Sequence, residues 1–347
     1  MTKDRDLSLR VLHAPELAGL AGVMAEALRS LGVDATSLSY VSHPYGFRND
    51  IELNLQRYPR AIKYLRRCTF TIRAVREYDL FHFHYGNSLL PARLDLPIIK
   101  RLGKKIAVHF HGSDIRNQES VLHTADRYRN LGRRNDDAPP VSTRAQLKRV
   151  AEWRRYANGM FVSTPDLLSI VPEAVHIPQA IDLSQWGFVP IEKADRSPWT
   201  VLHMPSHRGM KGTEFVLKCV EQLNSSGHSV HLTLGEGCSH EEVHELYKDA
   251  DVVIDQLIIG AYGLVSVEAM AVGRPVICYI SNDVRPLYPD SVPVMSATPL
   301  DLGDVLVDLI RNRSLREQLC YEGRRYVETY HEASTVASVL FDCYSGF

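Results

Sequence analysis

No two of the six cysteines form a Cys-x-x-Cys pair, and no apolar run approaches the ~18 residues that a membrane-spanning helix needs. The first absence argues against a zinc knuckle and a disulfide framework, so a reducing cytoplasm is the expected compartment. The second, with the charged start MTKDRD, gives no expectation of a secretory signal or an integral membrane protein. An excess of one charge is missing too. Forty Lys and Arg stand against 41 Asp and Glu, so the overall field draws the chain to no nucleic acid and any basic region must be local. Low-complexity segments and internal repeats are absent.

What is present is a repeated strand and helix grammar over 347 residues, enough for two ordinary domains. LSLRVLH reads as a buried strand followed by a helix whose stripe is Leu20, Val23, Met24, Ala27, Leu28 and Leu31. DATSLSYV, DLFHFHY, KKIAVHFHG, GMFVST and AVHIP continue the alternation. WTVLHMP, SVHLTLGEG, DADVVIDQ and PVICYI restart it. Such alternation predicts an α/β chain of two doubly wound, Rossmann-like domains facing each other across a cleft, with ligands at the carboxyl ends of the strands. The expected organisation is an acceptor-side domain over 1–184, a linker over 185–198, a second domain over 199–330, and a final helix over 331–347 returning to the first domain. Residues 133–143 read as a loop.

Two segments of the second domain have the chemistry of an anion site. SHRGMKGTEF ends a strand and begins a helix, which places Arg208 and Lys211 where they can meet a phosphate and Thr213 where it can cap the helix. Its glycine spacing is not that of a Walker loop, and HAPELAGLAG after the first strand is no Gly-x-Gly-x-x-Gly, which disfavours a dinucleotide oxidoreductase. In GAYGLVSVEAMAVGRPVI a helix starts near Gly263, so the amides of Gly263 and Leu264 are expected to face a second anion position. Glu268, one turn further in, would repel phosphate but suits a ribose diol as a double acceptor.

These segments together, KGT, DADVVIDQ, GAYGLVSVEAMAVGRPVI and, in the first half, HFHGSD, resemble glycosyltransferase family 4 and its retaining, GT-B-fold relatives over nearly the whole chain. The resemblance implies a nucleotide diphosphate sugar as donor, transfer with retention, and no required metal or other cofactor. It implies that Arg208 and Lys211 hold the diphosphate, that Gly19 lets the backbone approach it, and that Glu268 grips the ribose. In HFHGSD, His111 or its backbone faces the donor sugar, with Asp114 as the carboxylate beside it; these two are the catalytic candidates. The family's first acid, eight positions before Glu268, is missing, because that position is Gly260. Its hydroxyl contacts are expected to pass to the turn of Gly260, Ala261 and Tyr262, through backbone amides around Ala261 to Leu264 or through the Tyr262 hydroxyl. The acceptor, whether a glycan, a lipid-linked sugar or a secondary metabolite, is left open.

Two rival readings carry weight. His82 and His84 share one strand face, and His109 and His111 share another, so four imidazoles could ligate zinc in a metal-dependent hydrolase. The missing acid admits a nucleotide-sugar-binding protein without catalysis. RYPRAIKYLRRCTFTIRAVREYD, within 57–78, sets Arg60, Lys63, Arg66, Arg67, Arg73 and Arg76 around Ile62, Leu65, Ile72 and Val75. A solvated face over a packed stripe is the expected reading, and peripheral contact with an anionic membrane the alternative.

Overall fold

Strands β1 (Arg10–Ala14), β2 (Asp34–Ser39), β3 (Ile51–Glu52), β4 (Leu80–His84), β5 (Lys105–Phe110), β6 (Gly159–Val162) and β7 (Val175–His176) form one parallel sheet, in the order β3-β2-β1-β4-β5-β6-β7. The computed structural model describes residues 8–16, 18–42, 46, 49–116, 143–191 and 197–347. Helices α1 (Leu20–Ser30), α2 (Arg60–Glu77), α3 (Leu96–Arg101) and α4 (Thr143–Tyr156) connect the strands. β4 is buried at every position, as a central parallel strand covered on both faces should be. On one face, Ala74 of α2, Leu96 and Ile99 of α3, and Val150 and Trp153 of α4 pack on Phe81, Phe83 and Val108. α1 covers the other face with Met24 and Leu28. The two-residue β3 was not visible in the sequence. Residues 133–142 of the expected loop lie outside the described residues, and Thr143 already begins α4.

Of the apolar stripe expected to pack under α2, only Val75 does so, partly buried against the sheet core. The buried residues of the helix are Thr71 and Ala74, while Ile62, Leu65 and Ile72 are exposed. The inward side also carries Arg67, whose guanidinium reaches the carbonyls of Ser88 and Leu89 and lies over the ring of Tyr40. That polar anchoring turns the Leu65 and Ile72 face outward.

A second parallel sheet, β11-β10-β8-β9, is built from β8 (Trp199–His203), β9 (Val230–Leu234), β10 (Val252–Ile254) and β11 (Val276–Ile277). Around it run α5 (Arg208–Lys211), α6 (Thr213–Ser225), α7 (His240–Asp249), α8 (Leu264–Val272), α9 (Leu302–Arg311) and α10 (Arg313–Tyr330). Its core joins Val201, Val216, Val220, Ile254, Leu306 and Leu309. The segment expected as a linker belongs to this unit, which among the described residues runs Leu183–His331. The reason is local. Trp186 is buried and stacks on His244, and the Val189 amide donates to the Val272 carbonyl. The last helix, α11 (Ala333–Tyr344), is part of the first unit, where Val336, Leu340 and Phe341 pack with the α1 residues.

Strand order reverses between β1 and β4 in the first sheet and between β8 and β10 in the second. At such switch points the crossover helices depart to opposite faces and leave a crevice beyond the carboxyl ends of the strands.

Candidate functional site

Asp255 follows β10 directly, at the switch point of the second unit, and is fully buried. Lys211 Nζ donates to its Oδ1 at 2.7 Å, and the Gly263 amide and Ser266 hydroxyl donate to its Oδ2 at 2.7 and 2.8 Å. Burial works to raise this carboxyl, but the Lys211 charge and the three donors outweigh it and hold Asp255 below the usual carboxylate range. Gln256 Oε1 takes a second Lys211 hydrogen bond at 2.7 Å. The lysine ammonium is thereby fixed beside the start of α8. A Cβ at position 263 would lie 3.2 Å from Asp255 Oδ2 and 3.3 Å from Lys211 Nζ, so any other residue there would push on the pair by a few tenths of an ångström. Asp255 was not singled out in the sequence, where it reads as the polar end of a strand.

This lock corrects one expectation. The Gly263 amide is spent on Asp255 and is not free for an anion. The next two amides, of Leu264 and Val265, have no partner among the described residues, and both residues are partly exposed. They point out of the helix start, with its partial positive charge. Glu268 follows Leu264 by one turn on the same face. It is partly exposed, and its Oε2 accepts from the Tyr247 hydroxyl at 2.8 Å. Burial raises its carboxyl to about 7; the Tyr247 bond works in the other direction and the negative Asp255 adds to the rise. Arg208 is not an open cation, because Glu236 takes it in a bidentate pair at 2.8 and 2.7 Å. Both partners are about a third exposed, and such pairs contribute about 0–1 kcal/mol, so a phosphate can compete for the guanidinium. Thr213 does not cap α6; its hydroxyl bonds buried His203.

The donor-sugar candidates fare differently. Gly260 has φ +89°, and a Cβ there would lie 3.0 Å from Ser281 Oγ, so an acid cannot occupy this position without moving the turn. Ala261 is buried, and its carbonyl accepts from Gln256. Tyr262 is corrected outright. Its ring stacks on Tyr288, and its hydroxyl meets His331 Nε2 at 2.9 Å and the Tyr326 hydroxyl at 3.3 Å, all within the interior of the unit.

At the switch point of the first unit, the backbone at Gly19, where the diphosphate was expected to approach, is taken up by the chain itself. The buried Glu16 carboxylate accepts from the amides of Ala18 (2.6 Å), Gly19 and Gly22 (2.9 Å). Asp114 is also inward: it accepts from the amides of Gly112 (2.8 Å), Ile115 (3.1 Å) and His111 (3.2 Å). Burial pushes this carboxyl up while those amides pull it down. Its role is to fold the turn after β5, and it presents no nucleophile.

His13, His82, His84, His109 and His111 gather across β1, β4 and β5. His84 Nε2 faces His13 Nδ1 at 3.1 Å, and His84 Nδ1 faces His111 Nε2 at 3.0 Å; the remaining His111 nitrogen bonds Ser163. Tyr344 of α11 bonds His82 Nδ1 at 2.6 Å and closes on His13 Nε2 at 3.4 Å. Burial holds these imidazoles neutral, His13 down to about 3 and the other four well below the ordinary value. One nitrogen each from His84, His109 and His111, and likewise from His13, His82 and His84, lies within 4.8 Å of the other two. The rings of His84 and His111 are 21° from parallel with their nitrogens facing at hydrogen-bond distance, while buried His82 Nε2 has no hydrogen-bond partner among the described residues. Both ring nitrogens of His111 are engaged, which leaves its backbone carbonyl, unpartnered among the described residues, as the group it can offer.

Residues 209–326 match the model described as glycosyl transferases group 1. The segment holds Lys211, Asp255 and Glu268. The second unit carries a glycosyl transferases group 1 segment. Over the whole chain the fold is that of the GT-B glycosyltransferases. A structure of Anabaena Alr3699/HepE in complex with UDP-glucose matches with a TM-score of 0.66 at 12% identity, covering 98% of this chain and 100% of that one. Sucrose-phosphate synthase from Thermosynechococcus elongatus matches with a TM-score of 0.62 at 15% identity, over 97% and 98% of the two chains. In sequence, the putative colanic acid biosynthesis glycosyltransferase WcaL of Escherichia coli is 24% identical over 244 residues, 60% of this chain. The chain spans about half the length of that relative, 55% of which is covered.

Proposed function

We propose that the protein is a retaining glycosyltransferase that takes a sugar from a nucleoside diphosphate sugar. The observation that carries this reading is the lock of Lys211 by buried Asp255 at the start of α8, with Glu268 one turn inside. A fixed cation, two unpartnered amides and a helix start suit a diphosphate, and the carboxylate next to them suits the ribose diol. The HepE structure, which has this fold and holds UDP-glucose, supports the same class of donor.

On this reading the charge on the leaving diphosphate is met by Lys211, by the Leu264 and Val265 amides, and by Arg208 once it exchanges Glu236 for phosphate. No divalent metal is needed. Asp114 faces backbone amides, so a double displacement through it is disfavoured. In the same-face route, the bond from the anomeric carbon to the diphosphate breaks as the acceptor oxygen bonds that carbon. The acceptor proton passes to a diphosphate oxygen. The acceptor is a glycan, a lipid-linked sugar or a secondary metabolite.

Thermal shift against nucleoside diphosphates and nucleotide sugars, with a chelator present, tests the reading. Stabilisation that Lys211→Ala abolishes is the expected result. A strict magnesium requirement would overturn the metal-free site, and stabilisation with neither transfer nor slow donor hydrolysis would leave a binding protein in place of an enzyme.

A further inference from the structure

α2, α3 and α4 pack on one face of the first sheet, since Ala74, Leu96, Ile99, Val150 and Trp153 belong to a single core cluster. Their opposite sides therefore form one outer layer. Leu65 and Ile72 lie across α2 from buried Thr71 and Ala74, and they are 61% and 54% exposed. Ile98, within α3, and Leu102, its C-terminal cap, are 50% and 54% exposed, on the side of the helix away from buried Leu96. A solvated helix face would carry polar residues at these positions.

The charge of the layer is one-sided. The three helices expose nine Lys and Arg and no Asp or Glu, in a chain whose totals nearly cancel, while Arg67 and Arg149 turn inward to backbone carbonyls and Arg154 pairs with Glu173. The two acids of these helices are already paired, Glu77 with Arg73 and Glu152 with Arg93. Arg73 and Arg76 flank Ile72, while Lys100 and Arg101 flank Ile98 and Leu102, all of them exposed. Branched aliphatic side chains set among long basic ones match an anionic bilayer surface, where acyl chains take the former and headgroups the latter. Nucleic acid would call for aromatic stacking in place of Leu and Ile. Among the described residues no helix is long and apolar enough to cross a membrane, so the contact is with the surface.

We propose that the outer face of α2, α3 and α4 docks the first unit on an anionic lipid surface. This inference does not depend on the donor site.

The test is sedimentation of the full chain with vesicles of phosphatidylcholine alone and of phosphatidylcholine with about a third phosphatidylglycerol. The expected result is binding to the second and not the first, weakened as salt rises from about 0.1 M to about 0.5 M. The pairs Leu65→Gln with Ile72→Gln and Ile98→Gln with Leu102→Gln should each lower binding by about tenfold, because exposed positions cost little stability but carry the inserted area. Equal binding to pure phosphatidylcholine would overturn the proposal, as would indifference to both variant pairs. A concentration-dependent dimer abolished by the same substitutions would assign the face to a second copy. Salt-sensitive retention on single-stranded DNA, lost in the same variants, would assign it to nucleic acid. Nucleoside diphosphate stabilisation should be unchanged throughout, so failure here is distinct from failure of the donor reading.

Discussion

The two units share one strand and helix grammar, yet their switch points have opposite electrostatics. In the first, the α1 start is satisfied by Glu16, and the strand ends are lined by five neutral imidazoles bonded mostly to one another and to Ser163 and Tyr344. In the second, the α8 start is left open at Leu264 and Val265, and a buried carboxylate aims a lysine at it. A helix start is thus no anion site by itself. What decides is whether the chain supplies its own carboxylate to the amides or uses that carboxylate to hold a cation beside them.

Acidification should separate the units most strongly. The imidazoles of His13, His82, His84, His109 and His111 are depressed in the folded state, so below their unfolded value the unfolded chain binds more protons. Each then removes stability at about 1.4 kcal/mol per pH unit below ~6.5. Glu268 works the other way: its carboxyl is raised to about 7, so its contribution is fullest below the unfolded value and is lost as pH rises through 7. Hydrogen exchange between pH 7 and 5 should show β1, β4 and β5 losing protection before β8 and β10. The reverse order would break the comparison.

Asp255→Ala should come next. It strands Lys211 without its buried partner and frees the Gly263 amide, and removing one member of such a pair costs about 3–5 kcal/mol. Denaturant unfolding measures this loss, and nucleoside diphosphate affinity should fall with it. Glu268→Gln is expected to weaken nucleotide-sugar binding by about 1.5–3 kcal/mol, the scale for hydrogen bonds to a charged group. Since the ionised form accepts the ribose hydroxyls, wild-type affinity should climb from about pH 6 to about pH 8 while the Gln variant stays flat. Equal loss of affinity for the free base would remove Glu268 from the ribose.

Much of this architecture was legible because buried parallel strands read as continuous apolar runs and their helices as stripes. The two-residue β3 and the outward turn of α2 were not, since the first has no length to show a pattern and the second depends on Arg67 finding the Ser88 and Leu89 carbonyls. Within the site, Lys211 and Glu268 stood out by their place at helix starts. Asp255 did not, because an acid ending a strand has the same local sequence whether water or three donors surround it. Tyr262 and Gly19 were misread for one reason: the partners that claim them, His331 and Glu16, are fixed by packing that no spacing rule reveals.

Glu16→Ala sharpens the contrast between the helix starts. It leaves three amides at the α1 start without their acceptor and should cost about 0.5–2 kcal/mol, as loss of a cap does. Inorganic phosphate should restore part of that stability in the variant and none in the wild type. Phosphate stabilising both equally would mean that the carboxylate does not fill the site.

The smallest effect is expected from Tyr262→Phe, which tests whether the turn before α8 meets the donor sugar through a side chain. In the fold the Tyr262 hydroxyl lies between His331 Nε2 and the Tyr326 hydroxyl, and the ring keeps its stack on Tyr288 when the oxygen is removed. One buried hydrogen bond is lost, at about 0.5–1.5 kcal/mol, and His331 keeps no acceptor or donor from this ring. Stability should fall by that amount, while turnover with nucleotide sugar and affinity for nucleoside diphosphate stay at wild-type values. Loss of turnover at unchanged diphosphate affinity would instead bring the hydroxyl into contact with the sugar during the reaction. That outcome would require Tyr262 to leave the His331 and Tyr326 cluster during the reaction.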